Sequence, residues 1–318
     1  MATSLMSSKL ATTIKRNALI PAILGALCIA VGAIFVRLSK AEPATVSFFR
    51  CFYALPILAA LALREHRQSG GRPLRAQMPI YLAGVLFGTD LVLWCYSINF
   101  VGAGLATVLS NYQVVIVPLA AWALFSERPS RRVVVAIPIA LAGVVFISGV
   151  IGSGAYGSNP FKGAIFGVTS GIAYAGSLLA MRMGGKEELG RTSTRLFEMT
   201  MASALTAGIV GTALGKIDFL PGLRSQLWLI ALALGSQVIG WFFITWALTR
   251  LPTATTALVL TLQPAGAVLL AMLILGESPS PTQLIGVGAV IAAIVIATTR
   301  LGKRRAIEPG VGIDYDLT

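Results

Sequence analysis

Ser126-Glu127-Arg128-Pro129-Ser130-Arg131-Arg132 and, 150 residues later, Gly276-Glu277-Ser278-Pro279-Ser280-Pro281-Thr282 decide how this chain is organised. Each stretch closes one long apolar run and opens the next. In the second copy, Ser280-Pro281-Thr282-Gln283 is a capping box with Pro at the first helical position, so a helix starts there. The same offset sets Trp94–Gly143 against Ile244–Ala293 without a gap, and Gln113 meets Gln263 as Glu127, Pro129 and Ser130 meet Glu277, Pro279 and Ser280. Only 7 of those 50 pairs are identical, so the repeat rests on where the identities fall.

Outward from the two hairpins, apolar runs fill the chain. With 318 residues, 56% hydrophobic and 12% charged, it is too apolar for a soluble domain. A spanning helix needs roughly 20 mostly apolar residues. Ten such spans are expected at about 18–36, 45–63, 79–97, 104–125, 132–151, 160–181, 195–215, 226–248, 254–275 and 283–299. The first run is long and nine more follow, which predicts an uncleaved first helix rather than a secretory signal.

The net charge of +13 is topological. With the N-terminus on the cytoplasmic side, the inner segments carry 19 Lys and Arg, the outer loops 5, and Arg50 lies inside a span. That asymmetry places both termini in the cytoplasm and speaks against nucleic-acid binding. A repeat of five helices is odd, so its second copy must be inverted. The charges agree: the 4–5 connection has Arg128, Arg131 and Arg132, and the 9–10 connection has no Lys or Arg. The expected fold class is an all-α membrane protein, ten transmembrane helices as two inverted five-helix repeats. Its parts are a cytoplasmic N-tail (1–17), a first repeat (18–151), a second, inverted repeat (160–299) and a cytoplasmic C-tail (300–318). Inverted repeats place a binding site near the midplane, between the halves.

Ala33-Ile-Phe-Val-Arg37 in helix 1, Pro43 to Arg50 opening helix 2, and Ser126-Glu-Arg-Pro-Ser and Gly276-Glu-Ser-Pro-Ser after helices 4 and 9 resemble the paired EamA-type domains of the drug/metabolite transporter superfamily. The resemblance covers about residues 18–300. It implies a basket with helices 1–4 and 6–9 around a central cavity and helices 5 and 10 outside. It also implies a transporter of the bacterial inner membrane that exports amino acids or related small metabolites by alternating access. The alternative is efflux of drugs or hydrophobic cations; a channel or a membrane-embedded enzyme fits less well.

Polar groups at midplane depth are costly unless paired or wetted, which makes them candidates for function. At about 1.5 Å rise per residue, Asp90, Gln113, Gln237 and Gln263 all fall near the middle of a core of about 30 Å. Trp94 lies one turn from Asp90, and Trp241 one turn from Gln237, suiting a planar or zwitterionic solute; these Trp could instead face lipid. Tyr96, Asn111 and Tyr174 are further candidates for substrate contact, with packing as the alternative. Asp90 binds a substrate ammonium, carries a coupling proton, or forms a structural ion pair with Arg50. Glu198, about 5 Å inside its helix, is expected to snorkel to water, with a proton relay as the alternative. Glu127, Pro129, Ser130, Glu277, Pro279 and Ser280 are expected to be structural. Pro118 and Pro264 should interrupt helices 4 and 9 by freeing the carbonyls of Val114 and Leu260. Gly163, Gly167 and Gly171 form a small-residue stripe for close helix packing.

Cys28, Cys51 and Cys95 lie inside spans without a pairing pattern, and the single histidine, His66, has no ligand cluster around it. There is no phosphate-binding glycine loop or catalytic triad context. Arg50 is the only cation well inside a span, which disfavours phosphorylated cargo. No cofactor or metal is expected. The expected partners are a small-molecule substrate, membrane lipids and, if Asp90 titrates, protons.

Overall fold

The computed structural model describes residues 2–148, 159–185, 190–213, 217–276 and 280–298. Among them ten helices correspond to the ten expected spans: α1 (Ala18–Ser39), α2 (Pro43–Ser69), α3 (Leu74–Ile98), α4 (Ala106–Phe125), α5 (Arg131–Ile147), α6 (Phe161–Gly185), α7 (Thr192–Ala213), α8 (Leu223–Leu248), α9 (Thr253–Ile274) and α10 (Pro281–Thr298). The shortest, α5, has 17 residues and rises about 25 Å, close to the thickness of a hydrocarbon core. In lipid, only structures that satisfy their own backbone groups survive, which is why an apolar chain of this kind resolves into helices.

The backbone stays helical from Leu74 to Ser110, yet it turns back between α3 and α4. A Cβ on Gly167 would sit 2.9 Å from Ser97 Oγ and 2.7 Å from Leu109 Cβ. Twelve residues of straight helix would hold those two about 18 Å apart.

α1 packs on α8 and α9, and α6 packs on α3 and α4; α2 lies on α7, α4 on α9 and α5 on α10. A two-fold axis exchanging α1–α5 with α6–α10 produces this set of pairings. Inversion is visible where α5 meets α10. Gln283 Nε2 at the start of α10 donates to the Ile147 carbonyl at the end of α5 (3.3 Å), so the two run antiparallel. The α4–α5 and α9–α10 hairpins therefore lie at opposite ends of the bundle.

The first of those ends carries four tied connections. Glu127, between α4 and α5, meets Arg182 at the end of α6 and Thr253 at the start of α9. Arg191, before α7, donates to the carbonyls of Ser69 and Gly70 after α2. This is the basic end. At the far end, Ser225 Oγ donates to the Ser39 carbonyl (2.6 Å), and the Asn159 amide donates to the Phe100 carbonyl (3.4 Å).

Caps follow the sequence. Ser130 accepts from the Val133 amide at the start of α5 (3.3 Å). At α10 the capping box is reciprocal: the Ser280 amide donates to Gln283 Oε1 (2.9 Å), and the Gln283 amide donates to Ser280 Oγ (3.3 Å). Glu277 and Pro279 lie outside the described residues.

Lipid tails are as apolar as leucine, so helices are held together by close packing rather than by a hydrophobic drive. The glycine stripe of α6 serves that purpose. Ser97 Oγ donates to the Gly163 carbonyl (2.8 Å), and a Cβ on Gly171 would meet the Leu109 carbonyl at 2.9 Å. Gly143 and Gly286 do the same for α5 and α10, where a Cβ on either would meet the other's carbonyl oxygen at 2.8 or 2.6 Å.

Four spans are irregular. α9 breaks at Leu260–Thr261, upstream of Pro264, which has no N–H for the Leu260 carbonyl; that carbonyl is not left free as expected but accepts from the Gln263 amide (3.1 Å). α4 breaks at Asn111–Tyr112, upstream of Pro118, which lies within the regular helix. At that break the Thr107 carbonyl accepts both from the Asn111 side-chain amide (2.8 Å) and from its backbone amide (3.0 Å). α2 breaks at Tyr53–Ala54, just before Pro56, and α8 contains a π-helical segment, Ala233–Gly240.

Candidate substrate cavity

The breaks in α4 and α9 and the middle of α3 surround one open cavity of about 950 Å³, its mouth included. Its wall draws on α1, α2, α3, α4, α6, α8 and α9, and most lining residues lie in the middle or the far half of their helices, with Trp241 and Leu260 set toward the basic end. The cavity therefore opens toward the far end. α5 and α10 contribute nothing to it.

Its floor is aromatic. The rings of Phe87 and Trp241 meet edge to face with centroids 4.6 Å apart, and Tyr174 lies 6.2 Å from each. Edge-to-face contact places the positive edge of one ring on the negative face of the next. Phe87 comes from the first repeat; Tyr174 and Trp241 come from the second.

Above the floor the wall carries one carboxyl, Asp90, and one guanidinium, Arg50. Asp90 accepts from Ser170 Oγ of α6 (2.6 Å), and Ser170 in turn reaches Ser110 Oγ of α4 (3.5 Å). Arg50 donates through Nε to Gln237 Oε1 (3.1 Å) and lies over the Phe87 ring at 5.8 Å. The direct Arg50–Asp90 ion pair weighed from sequence is thus replaced by two separate partnerships. Asp90 and Arg50 both line the cavity.

Of the other expected site residues, Trp94, Asn111, Tyr174, Trp241 and Gln263 lie in the wall, and Gln263 Nε2 donates to Tyr174 Oη (3.4 Å). Gln237 is fully buried behind Arg50, in the π-helical segment of α8, and its Nε2 donates to Thr200 Oγ1 of α7 (3.0 Å). Gln113 is also fully buried, turned to the Ala257 carbonyl of α9 (3.4 Å), with Oε1 unpartnered among the described residues. Tyr96 points away from the cavity into a groove with Phe100, Phe166 and Lys162. Trp241 Nε1 has no partner among the described residues.

Glu198 does not snorkel. It is 6% exposed and forms an ion pair with Arg72 at the basic end, because Arg72, outside the spans, folds in over it and also donates to the Ala76 carbonyl (3.0 Å). Glu127 sits in the same layer, accepting from Arg182 (2.9 Å) and from the amide (3.1 Å) and hydroxyl (3.0 Å) of Thr253. Burial works against its charge, yet the Thr253 amide and the Arg182 guanidinium outweigh that and hold the carboxyl below the usual glutamate range. Glu65 likewise accepts from the amides of Ser193 (2.9 Å) and Thr194 (2.8 Å). Ser170, Ser110, Thr200 and Phe87 were not candidates from sequence; a serine or threonine in a small-residue helix gives no sign of what it faces.

The EamA-like transporter family model matches residues 16–149 and again 161–299. The threonine/homoserine exporter RhtA of Escherichia coli K12 is 29% identical over 236 residues, 73% of this chain and 75% of RhtA. An uncharacterised transporter of Archaeoglobus fulgidus is 23% identical over 275 residues, 86% of this chain and 94% of its own length. One crystal structure superposes with a TM-score of 0.74 at 17% identity, covering 89% of this chain and 97% of that one; at that identity it speaks to the fold alone.

Proposed function

The chain belongs to the EamA-like transporter family, and on that premise we propose that it exports small zwitterionic amino acids by alternating access through the central cavity. The observation that carries the reading is the separation of Arg50 from Asp90 on one cavity wall. A buried guanidinium and carboxyl that form no direct ion pair suit a substrate with a carboxylate and an ammonium. Arg meets a carboxylate with a planar fork, and Asp accepts from an ammonium. RhtA, the E. coli relative, is named for threonine and homoserine, both zwitterions with a hydroxyl on a short side chain. The basic end is cytoplasmic by the positive-inside rule, with residues 1–17 and 300–318 as cytoplasmic tails. The cavity as described then faces outward. Residues 18–151 and 160–299 would rock against each other, parting the clamps of Glu127, Glu198 and Glu65 as the far end closes. Asp90 is the group through which export would couple to inward proton flow.

The aromatic floor and Asp90 also suit a hydrophobic cation, but Arg50 would repel it. Proteoliposome counterflow separates the two readings. Labelled L-threonine or L-homoserine should exchange, and a hydrophobic cation should not compete; the reverse pattern overturns amino-acid export. Asp90→Asn should lower threonine counterflow by at least about tenfold, since a hydrogen bond to a charged group contributes about 1.5–3 kcal/mol. Unchanged flux removes Asp90 from the site. Exchange insensitive to an imposed pH gradient removes the coupling.

A further inference from the structure

Arg50 is oriented by a chain of hydrogen bonds across three helices. Thr200 Oγ1 on α7 accepts from Gln237 Nε2 (3.0 Å), which turns the amide so that Oε1 faces Arg50 and accepts from its Nε (3.1 Å). Both Thr200 and Gln237 are fully buried, so neither amide atom has water as an alternative partner. Gln237 stands in the π-helical segment Ala233–Gly240, the only one among the described residues. Such segments widen a turn by one residue and tend to mark functional positions.

The consequence for Arg50 lies in which edge is taken. Gln237 occupies the Nε edge, while the two terminal amino groups donate a hydrogen bond to no protein atom among the described residues, on a side chain that lines the cavity. Those two nitrogens are the pair that forks a carboxylate end-on. A guanidinium held by one edge has already lost the freedom that it would otherwise lose on binding substrate.

We infer that Gln237 and Thr200 are positioning residues that set the selectivity of this cavity for a substrate carboxylate, by holding Arg50 with its terminal amino groups turned to the ligand. This rests on the amino-acid reading above and adds to it a pair of residues that would not touch the substrate.

The test measures, in proteoliposomes, the ratio of inhibition constants for unlabelled L-threonine and L-threoninamide against labelled L-threonine. The amide keeps the ammonium and hydroxyl and lacks the carboxylate. Wild-type protein should prefer threonine. Gln237→Leu and Thr200→Val should each shrink that preference by about tenfold, with threoninamide binding little changed, and Thr200→Ser should restore it. Gln237→Glu should abolish it by placing a fixed carboxylate on Arg50. A preference within twofold of wild type in Gln237→Leu and Thr200→Val overturns the inference while leaving amino-acid export standing. So does an equal loss for both ligands, which marks a merely structural role. A wild-type protein with no preference for threonine over its amide overturns the zwitterion reading itself. Should Gln237→Leu fail to fold, the Thr200→Val and Thr200→Ser pair decides alone.

Discussion

Ser126 and Gly276, 150 positions apart, both end their helices in the left-handed region, with φ of 56° and 66°. α4 and α9 thus stop by the same backbone device at opposite ends of the bundle. Glycine takes that conformation freely, and serine must hold its Cβ against the following carbonyl. Ser126→Gly should therefore raise thermal stability in detergent by about 1 kcal/mol, and Gly276→Ala should lower it by a similar amount. Among the described residues nothing lies within 4 Å of a Cβ added at Gly276, so the loss reports backbone strain. Stabilisation by Gly276→Ala would contradict the shared cap.

The Glu127 clamp should show in the pH dependence of stability. A carboxyl held below its ordinary range stabilises the fold above that range, and the contribution fades as pH falls through the depressed value. Wild type should unfold at a higher temperature than Glu127→Gln at neutral pH, and the two should converge in acid. A difference that persists unchanged at low pH would mean the charge is not what matters.

Close approach of α3 to α7 makes Gly84 sensitive. A Cβ there would collide with the Met199 carbonyl oxygen and stand 2.6 Å from Ala202 Cβ, and backbone cannot swing aside as a side chain can. Gly84→Ala should cost about 1–3 kcal/mol. Gly288→Ala, on α10 with nothing within 4 Å, should be neutral or slightly stabilising, since alanine favours helix. Equal stability of the two variants in a detergent melt would refute the packing.

Orientation can be read by labelling. In a background without Cys28, Cys51 and Cys95, Ser130→Cys should react with impermeant reagents only from the cytoplasmic side, and Ser280→Cys only from the outside. Labelling of both from one side would undo the inverted repeat.

Much of this fold was legible because lipid allows few solutions. Apolar runs of spanning length become helices, and Ser130 and the Ser280–Gln283 pair cap α5 and α10 where the sequence placed those starts. Depth was legible too, since rise per residue is constant: Asp90 and Gln263 do share one cavity. The direction in which a side chain points around its helix was not. In a soluble helix the polar face marks the outside; here the outward face is as apolar as the packed one. Hence Gln113 turns to α9, Tyr96 to an outer groove, and Arg50 to Gln237 in place of Asp90. The π-helical segment of α8 left no mark either, because no residue type requires it. Glu198 was misread because its partner Arg72 lies 126 positions away, outside every span.

Phe87, Tyr174 and Trp241 form a septum with a ring from one half of the protein wedged against two from the other. Carbon-rich faces give a stray ion no ligands to replace its water shell. On the alternating-access reading proposed above, a membrane holding many resting copies of this protein would keep its voltage, and only a passenger able to part the rings would cross.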